Sequence, residues 1–339
     1  MTISEEALQT FGDQNMVITA PVSNHSLYSL RSDTERYVLV GWSSLALCTN
    51  LLGNTTVLLA TIRYRAIRLD KVSVTLIQNI AVSDILMGIN TIFPVIVSLI
   101  ADRWVFGDML CYIQHYLKIP SIISPELLIC AMHISKLTCL VFPLRATQRK
   151  KKTARFLAGT LWVLASMISI VQLCVDKYSI AFDYRYFKCT YVYRAATWKW
   201  ARPLLFTTIM VLPNIIVCVT TMALLIFILK RRRALNLQGA LTSLYVGLAY
   251  VLAFGPISIK LSIIQNLYPN LDQNIYGLAF TRFAFFISFL NGMANVFIYM
   301  VSVKSFGEFM KKSVLRTLQT RWGRLVTATY GRSHGPSSA

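Results

Sequence analysis

Charge is scarce in this chain, and acid is scarcer. Of 339 residues, 14% are Asp, Glu, Lys or Arg, where a soluble domain carries about 25%. The 14 acids face 34 bases, for a formal net charge of +20. With 55% hydrophobic residues and a mean hydropathy of +0.55, the imbalance excludes an ordinary soluble domain and points to a membrane protein. Other absences narrow the field. The four histidines (His25, His115, His133, His334) are scattered, with no metal-ligand spacing and no nucleophile constellation, so an enzyme is disfavoured and no metal centre is expected. No nucleic-acid-reading module accompanies the basic charge, so no nucleic-acid partner is expected. Residues 1–36 are polar and lack the basic start and apolar core of a cleavable signal peptide. The internal repeat that many transporters carry is not visible.

What is present is a series of seven apolar spans, near 37–62, 73–100, 109–141, 154–175, 202–229, 239–266 and 274–302. Each is near or above the roughly 20 residues needed to cross hydrocarbon. A helix is the default for each, because a spanning segment must satisfy its own backbone. About 21 of the 34 bases fall in four clusters, around 63–71, 145–155, 230–233 and 304–332, with only Asp70 and Glu308 against them. These clusters follow spans one, three, five and seven, which marks that side as cytoplasmic and suits contact with anionic membrane lipids. The expected fold class is therefore an all-α membrane protein, a seven-transmembrane helix bundle. Its parts are an extracellular N-terminal segment (1–36), the bundle (37–303), and an interfacial helix with a disordered cytoplasmic tail (304–339). Phe306, Phe309 and Met310 with Lys304, Lys311 and Lys312 give the amphipathic pattern of that short helix. Asn24-His25-Ser26 is a glycosylation acceptor pattern on the expected outer side.

Cys48, Cys130, Cys139, Cys174 and Cys218 lie within spans and read as buried apolar residues. Cys111 and Cys189 fall at the outer end of span three and in the long loop before span five. That side is oxidising, so a disulfide tying the loop over the outer mouth is expected.

Several local patterns now bear on identity. Gly53-Asn54 stands in span one, and "NIAVSDIL" at 79–86 carries Asp84 in span two. "WVFG" at 104–107 precedes Cys111. Trp162, Pro213 and Pro256 stand in spans four, five and six, and "LNGMANVFIY" at 290–299 in span seven. Together, in this order, they resemble the rhodopsin-like (class A) G-protein-coupled receptors over most of the chain. The resemblance implies a multi-pass plasma-membrane receptor with its N-terminus outside. It would pass the binding of an extracellular ligand to a heterotrimeric G protein.

Asp84 is an ionisable residue in hydrocarbon, costly unless it faces the bundle interior with partners. Asn54, Asn291 and Asn295 are the polar residues best placed for that role, the last two sharing a helix face. In the family this cluster holds a sodium ion. Here it reads either as a sodium site or as a purely structural network between helices, and Pro125 stands where a family ligand residue would be. Pro213 and Pro256 free a carbonyl one turn back and kink their helices, either as fixed bends or as joints.

The switch positions depart from the family. Its Asp-Arg-Tyr falls on Ser135, Lys136 and Leu137. Lysine keeps the charge but not the planar fork. With serine beside it, Lys136 is expected to be unlatched at rest, working either as a switch or as a snorkelling interfacial cation. Span six reads Ala253-Phe254-Gly255-Pro256, with Phe254 where the family has tryptophan. Val296 replaces the proline before Tyr299, and Thr221 stands where a tyrosine is expected.

The ligand is expected between the outer halves of spans three, five, six and seven. Lys118, two turns below Cys111, sits where amine receptors carry an aspartate, which disfavours amines. His115, Lys260 and Arg282 complete the candidate ligand set. Cations there suit a carboxylate, phosphate or acidic peptide, unless Lys260 and Arg282 snorkel outward or Lys118 pairs with Glu126 or Asp176. Retinal is disfavoured, because Phe289 takes the Schiff-base position and no lysine occurs between 275 and 303; no organic cofactor is expected. Two other readings stand beside the receptor. One is a receptor-like scaffold with weak or absent coupling. The other is a transporter or channel using Asp84, Glu126, Lys118 and Lys136, the two lysines lying roughly 27 Å apart along one helix face.

Overall fold

The computed structural model describes residues 32–63, 69–142, 151–175, 180–191, 211–230, 238–260, 275–303 and 306–309. Asn24, Asp176, Lys304, Met310, Lys311, Lys312 and much of the basic clusters lie outside the described residues.

Among the described residues seven helices are long and apolar enough to span a membrane. They are α1 (Asp33–Arg63), α2 (Lys71–Ala101), α3 (Gly107–Val141), α4 (Lys151–Val175), α5 (Leu212–Lys230), α6 (Gln238–Ile259) and α7 (Tyr276–Ser302). Between α4 and α5 an antiparallel hairpin forms from β1 (Ile180–Asp183) and β2 (Lys188–Tyr191).

Helix ends follow local chemistry. Ser32 caps α1 by accepting the Glu35 amide at 3.1 Å, so the helix starts at Asp33, ahead of the apolar run. Asp70 caps α2 by accepting the Ser73 amide at 2.9 Å. Both helices carry a π-bulge, Thr49–Gly53 in α1 and Gly88–Ile92 in α2. Such bulges re-aim the residues beside them and are frequent at functional sites.

Helix packing here rests on van der Waals fit and interhelical hydrogen bonds, since lipid is as apolar as leucine. Val301, 84% exposed, faces outward, while Leu76, Ile80, Leu128, Ile129 and Val246 are buried between helices. Trp162 on α4 donates to Asn79 on α2 at 3.2 Å, and Trp42 on α1 donates to the Phe286 carbonyl on α7 at 2.8 Å. Of the expected interfacial helix, Phe306 and Phe309 are described. They sit in a short helical turn at 306–309, and Phe306 is buried beside Tyr299 with ring centroids 6.4 Å apart.

Candidate functional site

The outer end is organised by the hairpin. Cys111 at the top of α3 is bonded to Cys189 in β2. Gln114, one turn further along α3, accepts the Cys189 amide at 3.0 Å. Lys118, a further turn down, donates to the Cys189 carbonyl at 3.1 Å and lies 3.1 Å from His115 Nδ1. Lys118 therefore turns to the hairpin and to His115, not to Glu126.

Lys260, at the end of α6, donates to the Tyr186 hydroxyl at 2.8 Å. Lys188 in β2, absent from the expected ligand set, packs its ammonium 3.8 Å from the centre of the Phe285 ring and 4.8 Å from that of Tyr186. Lys118, Lys188 and Lys260 are all buried. They are close enough in charge that the Lys188 amine is held well below its ordinary range. Burial lowers it most, the charge of Lys118 lowers it further, Asp183 opposes, and Lys260 lowers it again. Asp183 is itself gripped by the Arg185 guanidinium, with Oδ2 2.8 Å from Nη2.

Arg282 is engaged at the outer end by an ion pair. It pairs with Glu35 of α1 at 3.0 Å, tying α7 to α1. A second pair, Arg36 with Asp102 at 3.3 Å, ties α1 to the end of α2.

Midway down, Asp84 accepts from Asn295 Nδ2 at 3.0 Å. Asn54 bonds to the Gly292 carbonyl at 3.3 Å. Asn50, in the α1 bulge, comes so close that a Cβ on Gly292 would stand 2.0 Å from its Oδ1 and 3.2 Å from Asp84 Cγ. Asp84, Asn50, Ser121, Asn291 and Phe254 line a space of about 10 Å³ that Pro125 also borders. Such a volume admits about one water molecule. One carboxylate and the unpartnered Asn291 Oδ1 fit a small monovalent cation in chemistry. There is no room for a hydrated one. Among the described residues no group of three His, Cys, Asp or Glu could hold a metal ion.

Glu126, next to Pro125 on α3, is wholly buried. Its Oε1 accepts from Asn214 Nδ2 on α5 at 3.0 Å, and the same nitrogen lies 3.1 Å from Ser258 Oγ on α6. The sequence suggests Glu126 only as a charge-path residue or a partner for Lys118. The structure makes it the joint of α3, α5 and α6. Pro256 lies within α6, and Phe254 stacks on Tyr250 with centroids 5.1 Å apart.

At the inner end the expectation of an unlatched Lys136 is overturned. Lys136 pairs with Asp70, the carboxylate that caps α2 and also accepts from the Ser73 hydroxyl at 2.8 Å. The acid lost from position 135 is replaced by one 66 residues away. Burial works against the Asp70 carboxylate, but the Lys136 charge and hydrogen bond, then the Ser73 bonds, outweigh it and hold its carboxyl below 3.8. Gly239 on α6 closes over this pair, since a Cβ there would lie 2.9 Å from Lys136 Nζ. One turn up, His133 reaches α6 directly, with Nε2 2.8 Å from the Ser243 carbonyl. A carbonyl only accepts, so Nε2 carries the proton. Gly247 makes room, as a Cβ on it would stand 2.4 Å from His133 Cε1 and 2.5 Å from Thr221 Oγ1. Tyr299, with Val296 at the usual proline position, is buried beside this region.

A family model described as 7 transmembrane receptor (rhodopsin family) matches residues 53–299. C-X-C chemokine receptor type 1 from Pongo pygmaeus is 25% identical over 47% of this chain, and that match spans only 45% of the receptor's own length. Melatonin receptor type 1C from Gallus gallus is 22% identical over 85% of each chain. Neuropeptide receptor 22 from Caenorhabditis elegans is 21% identical over 91% of this chain and 77% of that one. These relatives are receptors, not enzymes.

Proposed function

The chain belongs to the rhodopsin family of seven-transmembrane receptors, and on that premise we propose that it passes the binding of an extracellular anionic ligand to a heterotrimeric G protein. The N-terminus lies outside the plasma membrane in this reading, and the basic inner loops meet lipid and partner. The names of the relatives point to chemokines, neuropeptides and melatonin. These differ in kind and do not choose a ligand, so the charge of the site must.

The observation that carries the reading is the burial of Lys188 in the hairpin and of Lys118 and Lys260 against it, with Asp183 already held by Arg185. Buried ammonium groups need a counter-charge or must give up their protons. A carboxylate or phosphate supplies that charge. Binding then favours the protonated form of Lys188, whose amine is otherwise held well below its ordinary range. Ligand binding would favour one of two helix arrangements, releasing the α2–α3 and α3–α6 contacts at the inner end. A sodium ion there, if bound, would be held by the Asp84 carboxylate and Asn291 Oδ1.

The test is thermal unfolding of the purified chain in lipid nanodiscs with rising inorganic phosphate or acetate. A ligand that binds only the folded state raises the midpoint by mass action. The midpoint is expected to rise in the wild type, to rise less at higher pH, where the Lys188 amine is neutral, and to stay level in Lys188→Gln. An equal rise in Lys188→Gln, or none in the wild type with either anion, overturns the anionic site. A receptor-like scaffold remains the second reading, favoured by one observation: Lys136 stands in the arginine position and is held by Asp70.

A further inference from the structure

We infer that a groove between α1 and α7, open to the bilayer, is a site for one anionic phospholipid of the inner leaflet, with an acyl chain along the groove and its phosphate at Arg63.

The groove begins with the bulge in α1. The π-bulge Thr49–Gly53 is out of step with the regular helix Asn54–Arg63 that follows it. Beside the bulge the two helices meet tightly, because a Cβ on Gly53 would stand 2.8 Å from both methyls of Val296. Val57, Val296 and Phe306 are buried, while Leu52 and Phe297 are 71% and 55% exposed. With Met300 they line a groove of about 300 Å³. A flat helix face meets lipid as solvent and holds no particular molecule. A concave one gives a chain close contacts on several sides, each small and their sum large.

Size and setting choose the occupant. The groove lies between two spans, so what covers it comes from the hydrocarbon layer. A water molecule's share of liquid volume is about 30 Å³, and a methylene is of similar size, so the groove has room for about ten methylenes. Its wall is apolar, since the Thr56 hydroxyl is given to the Leu52 carbonyl at 2.7 Å. Cys48 lines the outer end of the groove. At 1.5 Å per residue, the stretch from Cys48 to Arg63 is roughly 22 Å long. One leaflet with its head groups is about 20–22 Å thick, half of a bilayer.

Charge completes the match. Arg63 lies two turns past Thr56 on the same face of α1 and is exposed. Among the described residues it has no ion-pair partner. Asp70, the acid nearest to it in sequence, is already held by Lys136. Arginine's planar fork meets a phosphate at two points. The basic cluster that starts at Arg63 marks the cytoplasmic side, the leaflet that carries anionic lipid.

The experiment is photo-crosslinking in nanodiscs that hold one copy of the full chain. The bilayer is phosphatidylcholine with a little phosphatidylserine whose acyl chain carries a diazirine. Labelled residues are read by peptide mass spectrometry, with the exposed Val163 and Met167 of α4 as the reference for passing lipid. Labelling at 48–57 and 296–300 is expected several-fold above that reference, and several-fold weaker when phosphatidylcholine carries the diazirine. Unlabelled phosphatidylserine should compete it away and phosphatidylcholine should not. Arg63→Gln should abolish the preference between the two lipids. Thr56→Phe, which fills the groove, should bring its labelling down to the reference, with α4 unchanged in both variants. Groove labelling at the α4 level, or equal labelling by the two lipids, overturns the site. Displacement by cholesterol and not by phosphatidylserine overturns it in favour of a sterol, and loss of labelling in discs holding two copies overturns it in favour of a second chain. The wild-type competition needs no variant, so a variant that fails to fold leaves the test in force. No readout involves the outer lysines or a G protein, so failure of the anionic ligand site is a separate result.

Discussion

Replacing Asp70 by asparagine separates the two tasks of that side chain. Asparagine caps a helix as well as aspartate does, so the bond to the Ser73 amide at 2.9 Å is kept. The charge facing Lys136 is lost. Exposed ion pairs contribute about 0.2–1 kcal/mol, and deleting one partner of a buried pair costs about 3–5 kcal/mol. This pair falls between, with the Lys136 side chain 10% exposed and that of Asp70 45% exposed. Solvent screens the carboxylate, while the stranded ammonium stays largely under protein. A loss of about 1–2 kcal/mol follows, a shift of roughly 5–30-fold in a two-state ratio. Asp70→Ala should lose about 1 kcal/mol more, the worth of the cap. The assay is thermal unfolding in nanodiscs followed by labelling of Cys130, which is buried and free. Asp70→Asn, Lys136→Gln and their double variant close a cycle. A coupling near 1 kcal/mol or above is expected. Additive effects within about 0.5 kcal/mol would refute the latch and return Lys136 to an interfacial cation.

Gly247→Ala should loosen the inner end. Its methyl would stand 2.6 Å from His133 Nε2, so the histidine must swing away or α6 must move, at about 1–3 kcal/mol for overpacking; faster exchange across 238–247 would show it. Gly292→Ala should damage the middle of the bundle more severely, because its methyl meets Asn50 Oδ1 at 2.0 Å and Asp84 Cγ at 3.2 Å, and a large fall in unfolding midpoint would confirm this. The latch has a definite pH window. The Asp70 carboxyl is held below its ordinary 3.8 when folded, so its contribution is fully present above that value and is lost as pH falls through the lowered one. The Asp70→Asn difference in midpoint should therefore be constant from pH 5 to 8; a difference that vanishes near pH 6 would contradict the assignment.

The seven spans were legible because hydrocarbon thickness leaves a long apolar run that no soluble helix needs. Their ends were less so. The apolar count began α1 at 37, although Ser32-Asp33-Thr34-Glu35 carries the serine and glutamate of a capping box and the helix starts at Asp33. The polar cluster around Asp84 followed from the cost of charge in lipid, but Asn50 did not, because its place depends on the bulge at Thr49–Gly53. The partner of Lys136 lay 66 residues away. A local reading of position 135 could only report a missing acid, yet Asp70 was visible as the lone acid in a basic loop. Lys188 looked like any loop cation, although its neighbour Cys189 already fixed it over the mouth of the bundle. Arg282 shows the reverse. Its outer position on α7 suggested a ligand contact, while its long-range pairing with Glu35 was not legible in the sequence.

The most direct test of the account is nucleotide exchange on a panel of purified heterotrimeric G proteins, catalysed by the chain in nanodiscs without ligand. Wild type, Asp70→Asn and His133→Ala should be compared, with α6 exchange at 238–247 measured in the same samples. The account predicts low exchange catalysis by the wild type and at least several-fold higher catalysis by both variants on at least one G protein. Variants that free α6 yet leave every G protein silent would contradict it and establish the receptor-like scaffold instead.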